Sequence, residues 1–200
     1  MRASTRNQLN AMQLTQIAHE YLEKRLIKGA IAVDATAGNG YDTLKMAELV
    51  GSDGRVIAVD IQAAAIRATE ERLNAEGFTN YQLYEADHAT LFQELHDQYQ
   101  QSVSAVTFNL GYLPGGDKSV RTHPESTLEA LDIAVSWLNP QGILLVTAYR
   151  GHPGGKDEAD LIANWMHQKR AARFSIKCYE PEGKARIPPI LWVLKRPESA

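Results

Sequence analysis

The feature that most constrains the fold of this 200-residue chain is a five-fold alternation of strand-like and helix-like segments. The strand-like runs are short and mostly apolar, whereas the segments between them repeat their apolar residues at helical spacing. The runs are AIAVDA, RVIAVDI, YQLYEA, VSAVTFNL and GILLVTAYR, beginning at positions 30, 55, 81, 103 and 142. This alternation predicts parallel strands joined by right-handed helical crossovers.

The C-terminal stretch RFSIKCYEPEGKARIPPILWVLKR contains two strand-like runs with no helix between them. It predicts a β-hairpin, in which the last strand is antiparallel to its neighbour. At the other end, an amphipathic helix is predicted over about residues 7–28, with Gly29 as its stop signal. Together these elements are typical of the Rossmann-like class I methyltransferase fold, an α/β fold with a seven-stranded, mostly parallel sheet and helices on both faces. They fit a dinucleotide-binding dehydrogenase less well.

The composition is that of an ordinary globular protein, with 44% hydrophobic and 22% charged residues. The length favours one domain over residues 1–200. The net charge of −3 argues against tight, non-specific nucleic-acid binding, although it does not exclude a local basic groove. A single cysteine, no signal-peptide core and no apolar run of bilayer length predict a cytoplasmic protein without a membrane partner.

A loop with two glycines, VDATAGNGYDT, follows the first predicted strand. Gly38 and Gly40 would let the backbone turn sharply and approach a ligand at the start of a helix. A dinucleotide fingerprint would have its third glycine at position 43, where the chain has Thr43, so a nicotinamide cofactor is disfavoured. For this loop alone, a plain strand-to-helix turn is the alternative.

Three acidic residues, Asp34, Asp60 and Asp87, end three successive predicted strands. They should line one binding edge, because the carboxyl ends of parallel strands lie together. Asp34 suits the cationic amino-acid end of S-adenosylmethionine and would repel a diphosphate. Asp60 is placed to accept ribose hydroxyls, and Asp87 to meet an adenine amino group with His88 beside the ring. Each acid alone is explained by capping or solvation, but the three together with the loop favour S-adenosylmethionine.

The segments DATAGNGYDT, VDIQ, ADH, NLGYLPGGDK and YRGHPGG resemble those of the small bacterial class I methyltransferases known as rRNA-methylase-like. The resemblance runs from about Leu14 to the C-terminal hairpin, and the last two segments are its most specific part. It implies methylation of the 5-aminomethyl group of 5-aminomethyl-2-thiouridine at the wobble position of transfer RNA. The partner would then be the anticodon stem-loop.

The motifs and the resemblance together predict two sets of binding residues. The cofactor-binding set is Asp34, Thr36, Gly38, Asn39, Gly40, Asp42, Thr43, Asp60, Gln62, Asp87 and His88. The substrate-binding set is Gly111, Lys118, His123, Tyr149 and His152.

The run NLGY, at the end of the fourth predicted strand, has the spacing of the acceptor motif of amine methyltransferases, with Leu110-Gly111 in place of two prolines. The Asn109 oxygen and a nearby backbone carbonyl would accept the amine N–H groups, which points the lone pair at the methyl group and stabilises the developing charge. Tyr112 would stack on a base drawn out of the anticodon loop. Asn109 and Tyr112 are therefore the catalytic candidates, and a turn cap with a packing tyrosine is the alternative.

The remaining polar residues carry weaker signals. His152, in a glycine-rich run, is a substrate-contact candidate and one candidate for the base that removes the amine proton. Histidines on predicted helices are expected at the surface, and basic residues in two loops are candidates for phosphate contacts. These are His19, His96 and His167 on helices, and Lys118, Arg121, His123, Lys184 and Arg186 in loops. No His/Cys cluster has metal-ligand spacing, so no metal is predicted.

Several alternatives stay open from the sequence alone. They are an rRNA or small-molecule amine methyltransferase, a non-catalytic S-adenosylmethionine-binding module and a nicotinamide-dependent oxidoreductase. The acidic net charge favours a small-molecule substrate, whereas the intact acceptor motif argues against a non-catalytic module. A homodimer is a further expectation, because one small domain has few surfaces with which to grip a whole transfer RNA.

Overall fold

The computed structural model describes residues 11–111, 123–172, 174–181 and 187–197, which form one seven-stranded sheet with helices packed against it. The strands are β1 (Ile31–Asp34), β2 (Arg55–Asp60), β3 (Tyr81–Glu85), β4 (Val103–Leu110), β5 (Leu138–Ala148), β6 (Ser175–Tyr179) and β7 (Ile190–Lys195). The helices are α1 (Ala11–Arg25), α2 (Tyr41–Val50), α3 (Ala63–Ala75), α4 (His88–Glu94), α5 (Pro124–Trp137) and α6 (Gly155–Ala171), with a 3₁₀ turn at His96–Gln98. The predicted alternation is confirmed.

The strands are arranged in the order β3-β2-β1-β4-β5-β7-β6. The first five pair in parallel, and β7 is antiparallel to both β5 and β6. The predicted antiparallel pair is confirmed, and β7 is inserted between its neighbours rather than lying at the edge. The order reverses between β1 and β4, and ligands of open α/β sheets bind at such a switch point.

Helices cover the sheet on both faces. On one face the core contains residues of α1, α2 and α3, such as Leu22, Met46 and Leu73. On the other face it contains residues of α4, α5 and α6, with Phe92 and Trp137 fully buried. The central strands are mostly apolar because most of their residues are buried on both faces of the sheet.

Helix α1 ends earlier in the structure than in the prediction. It ends at Arg25, and Gly29 then adopts a φ of 83°, which a residue with a side chain rarely adopts. Its predicted start near residue 7 lies outside the described residues. Among the helices that the structure describes, none is long and apolar enough to cross a membrane.

Candidate functional site

The glycine loop between β1 and α2 is held in one conformation by helix α3. Gly38 and Gly40 have φ values of 55° and 77°. A Cβ on Gly40 would lie 2.8 Å from the Cα of Thr69, so only glycine lets the loop pack this closely against α3. The Thr69 hydroxyl donates to the Gly38 carbonyl at 3.3 Å, and Arg72 Nε donates to the Asn39 carbonyl at 2.7 Å.

Asp60, at the end of β2, ties the glycine loop to the following loop. Its Oδ2 accepts the Gly38 N–H at 2.9 Å, and its Oδ1 accepts the Gln62 N–H at 2.9 Å. A carboxylate offers about four acceptor positions, so Asp60 can also accept two ribose hydroxyls. The next residue, Ile61, is 54% exposed and offers an apolar surface to a flat ring. The sequence analysis assigns no role to Ile61, because its exposure cannot be read from the sequence.

Asp34, at the end of β1, is completely buried. Its carboxylate accepts the Thr43 hydroxyl at 2.6 Å, the Thr107 hydroxyl at 3.3 Å and the Thr36 N–H at 3.3 Å. These bonds join β1, β4 and α2 at the switch point. Its buried position means that the predicted role of Asp34 towards a ligand would be exerted through its charge and through this network.

The electrostatics of this edge favour a cation. Burial is the largest cause that raises the pKa of Asp34 to about 7, and the nearby carboxylates of Asp42 and Asp60 contribute to the same rise. Mutually repelling carboxylates suit a ligand with positive charge and would repel a diphosphate. S-adenosylmethionine carries a sulfonium and an ammonium group, so the residues present fit this cofactor.

The end of β3 contributes Asp87 and His88. Asp87 caps α4, because its Oδ1 accepts the N–H groups of Ala89 and Thr90 at 2.9 and 3.1 Å. The His88 ring lies edge-on to Phe108, with ring centroids 5.6 Å apart. Burial lowers the pKa of His88, so its imidazole is neutral at pH 7. The contacts of these two residues with adenine stay predictions.

Asn109 lies near the end of β4 and is half-buried. Its backbone N–H donates to the Thr36 hydroxyl at 2.7 Å, and its side-chain Nδ2 donates to Asp42 Oδ2 at 2.8 Å. The acceptor candidate is therefore bonded directly to two residues of the glycine-loop segment. In this way the structure brings the predicted cofactor and acceptor groups together.

The ends of β4 and β5 lie side by side at this edge. The Tyr149 N–H donates to the Leu110 carbonyl at 2.9 Å. A Cβ on Gly111 would lie 3.2 Å from Tyr149 Cβ and 3.6 Å from His152 Nε2. Desolvation raises the pKa of the Tyr149 hydroxyl, and the Asp42 charge raises it further. Gly111, Tyr149 and His152 therefore form one wall next to Asn109.

The surface position expected for His19 is met only in part. His19, on α1, donates from Nε2 to Asp42 Oδ1 at 2.6 Å, and only 26% of its side chain is exposed. His96 and His167 are exposed, as expected. The only signal in the sequence for the contact between His19 and Asp42 is that His19 directly follows Ala18, which belongs to the apolar side of α1.

Some predicted site residues lie outside the described residues: Tyr112, Lys118, Arg121, Lys184 and Arg186. His123 is described, and it is exposed immediately before α5. Within the described ranges, no group of three or more His, Cys, Asp or Glu residues could hold a metal ion.

Two family models match the chain. One, described as "Putative rRNA methylase", matches residues 56–195, which run from β2 to β7 and include the acceptor strand. The other, for protein-L-isoaspartate(D-aspartate) O-methyltransferase, matches residues 1–105. That second match ends inside β4, before Asn109, so it covers the cofactor half of the sheet without the acceptor residue.

One relative of the chain is a tRNA methyltransferase. The chain is 38% identical over 159 residues to a chloroplastic tRNA (mnm(5)s(2)U34)-methyltransferase of Arabidopsis thaliana, an alignment that covers 74% of this chain and 57% of the relative. The chain thus spans little more than half of that relative's length.

Solved structures extend the likeness to nearly the whole chain. A Clostridium thermocellum protein with the same rRNA-methylase description has a TM-score of 0.84 and 34% identity, covering 94% of this chain and 97% of that one. A Streptococcus mutans protein in complex with SAH, the demethylated form of the cofactor, has a TM-score of 0.79 and 32% identity, covering 90% and 96%. The chain therefore belongs to the rRNA methylase family of S-adenosylmethionine-dependent methyltransferases.

Proposed function

We propose that the protein methylates the 5-aminomethyl group of 5-aminomethyl-2-thiouridine at the wobble position of transfer RNA. The observation that carries this proposal is a hydrogen bond near the end of β4. There the side-chain amide nitrogen of Asn109 donates to Asp42 of α2. The side-chain oxygen of Asn109 is thereby left to accept an amine. Similarity to the Arabidopsis relative, a tRNA (mnm(5)s(2)U34)-methyltransferase, supports transfer RNA as the substrate.

In this proposal, the ends of β1 and β2 bind the cofactor, and the end of β4 orients the substrate amine. S-adenosylmethionine, when bound, supplies an electrophilic methyl group. Asp60 would hold its ribose, while Asp34 and the other carboxylates would favour its positive charge. Asn109 Oδ1 would accept an N–H from the substrate amine, orient its lone pair and stabilise the positive charge that develops on nitrogen. The proton that the substrate amine must lose passes to water or to a base. His152, beside Gly111 and Tyr149, is the candidate for that base.

Transfer RNA bearing 5-aminomethyl-2-thiouridine should be methylated at the wobble nucleoside. The measurement incubates it with labelled S-adenosylmethionine and identifies the digested nucleosides by mass spectrometry. Transcripts without the aminomethyl group are the matched control and should stay unlabelled, because they lack the nucleophile. The expected affinity for RNA falls as salt is added, because phosphate contacts release counterions.

Two results would overturn this proposal. The first is methylation of ribosomal RNA, but not of the aminomethylated transfer RNA. The second is turnover of free aminomethyl nucleosides at the same rate as the RNA, with no dependence on salt, which would indicate a small-molecule enzyme.

Cofactor affinity should rise with pH up to about neutrality. The pKa of Asp34 is raised to about 7, so much of the free protein carries a neutral Asp34 below that pH. A bound cation favours the ionised carboxylate, so binding releases a proton, and affinity rises by up to roughly ten-fold per pH unit below about pH 7 and levels off above it. Calorimetry in buffers of different ionisation enthalpy measures both quantities.

The Asp34→Asn variant is the control for this pH dependence. It retains polar contacts with the threonine hydroxyls but removes the titrating group, so the proton release attributed to Asp34 should vanish. An affinity that is flat or falls with pH in the unmodified protein would contradict the assignment.

A further inference from the structure

We infer that Asp42, held by His19, is a positioning residue that fixes the orientation of the Asn109 carboxamide towards the methyl acceptor. This role rests on the proposed function of Asn109. It also changes the role expected for Asp42, which the motifs place in the cofactor-binding set.

The orientation of the carboxamide follows from hydrogen-bond chemistry. A carboxylate can only accept, so the group of Asn109 that lies 2.8 Å from Asp42 Oδ2 must be the NH₂ group. The Asn109 oxygen consequently faces away from Asp42. Without Asp42, the carboxamide could rotate and present its NH₂ group to the substrate amine, and two donors would then face each other.

Asp42 is itself fixed by its surroundings. The His19 Nε2 lies 2.6 Å from Oδ1, and the side chains of His19 and Asp42 are only 26% and 17% exposed. Asp42 also lies in the first turn of α2, where the helix dipole stabilises a negative charge. Both carboxylate oxygens are therefore engaged, one by α1 and one by β4.

The backbone of Asn109 is fixed independently of its side chain. Its N–H donates to the Thr36 hydroxyl at 2.7 Å. With the backbone held by Thr36 and the amide nitrogen held by Asp42, rotation of the carboxamide is restricted at both ends. The acceptor oxygen is thus aligned before substrate arrives, and this alignment is what lowers the barrier to methyl transfer.

The Asp42→Asn variant tests this role. An asparagine at position 42 can donate as well as accept, so it no longer imposes one orientation on Asn109. We expect the turnover number to fall by about ten- to a hundred-fold, with a loss of S-adenosylmethionine affinity below about ten-fold, because Asp42 also adds negative charge to the cofactor edge. Adding Asp42→Asn to the Asn109→Ala variant should cause little further loss, because Asp42 acts through Asn109.

His19 variants provide a second comparison within the same network. His19→Gln keeps an N–H donor and should retain most of the turnover, whereas His19→Ala should lose several-fold. A loss of cofactor affinity above about ten-fold in Asp42→Asn would instead identify Asp42 as a cofactor ligand. Equal losses from Asp42→Asn with and without Asn109 would also overturn the inference.

A spectroscopic measurement makes the test independent of the RNA substrate. The side-chain amide of Asn109, assigned by its absence in Asn109→Ala, should give downfield, slowly exchanging ¹⁵N–¹H signals because it donates to a charged acceptor. These signals should move and exchange faster in Asp42→Asn. If they do not change, the orientation argument fails. If they change while the transfer RNA is not methylated, the orientation holds and the proposed function fails.

Discussion

The Asn109→Ala variant is expected to lose about 10²–10³-fold in turnover number while keeping its S-adenosylmethionine affinity. The alanine removes the oxygen that would accept the amine N–H, so the lone pair is no longer aimed and the developing charge loses a stabilising dipole. Cofactor contacts are retained, because Asp60 and the glycine loop are untouched. Single-turnover kinetics on the aminomethylated transfer RNA, together with calorimetry of cofactor binding, measure the two effects separately.

Asn74→Ala is the matched control for this variant. Asn74 is an exposed asparagine of α3 that accepts the Tyr81 hydroxyl at 2.9 Å, so the same truncation is made outside the candidate site. It should leave turnover and cofactor affinity unchanged. If Asn109→Ala instead lost cofactor affinity in proportion to turnover, or unfolded the protein, Asn109 would be a structural residue.

The second large effect is expected on cofactor binding in Asp60→Ala. The alanine removes the carboxylate that would accept two ribose hydroxyls and also releases the Gly38 N–H that is bonded to it. Hydrogen bonds to a charged group contribute about 1.5–3 kcal/mol each, so losing them should weaken S-adenosylmethionine binding by roughly 100-fold or more. Calorimetric titration of the folded variant, checked by circular dichroism, is the measurement.

Asp53→Ala is the corresponding control. Asp53 is an exposed acid in the turn before β2, and its side chain accepts only a 3.5 Å contact from the Ser52 hydroxyl among the described residues. It carries the same charge as Asp60 but lies at the other end of the strand. Unchanged affinity in Asp60→Ala would show that the ribose contact is absent. Equal losses of affinity in Asp60→Ala and Asp53→Ala would show that only the net charge matters.

The cofactor edge was predictable because it depends on local sequence and chain order. A strand that ends in an acid and is followed by glycines or a helix start can be recognised within a short window. Since parallel strands present their carboxyl ends together, the positions of Asp34, Asp60 and Asn109 near one edge follow from the alternation alone. The structure bears this out, with Asp60 and Asp34 both within one network around the glycine loop.

The contact of His19 with Asp42 was not predictable by the same reasoning. Helix α1 precedes the first strand, so no crossover rule determines where its faces lie relative to the strand ends. The position of His19 depends on how α1 packs against α2, which is a matter of side-chain shape over several turns. Sequence periodicity indicated which side of α1 is buried, but it did not indicate which residues of α2 contact the edge of that side, where His19 lies.

The place of β7 was partly encoded in its residues. An interior strand must be apolar on both faces, and ILWVL in β7 is buried throughout, whereas β6 (SIKCY) is half-exposed and suits an edge. The hairpin prediction used only the absence of a helix between the two runs. Comparing their apolar content would have placed β7 inside the sheet.

The interior position of β7 has a consequence for biosynthesis. β7 leaves the ribosome after the other six strands, yet β6 pairs only with β7, and β5 has β7 as its second partner. A nascent chain that has not yet released Ile190–Lys195 therefore exposes the unpaired edge of β5 immediately beside the acceptor wall. Such an edge is a target for chaperones and a risk for aggregation during translation. Because Ala148 at the end of β5 pairs with Ile190, the strand that leads into the acceptor wall gains its second partner only after β7 has been synthesised.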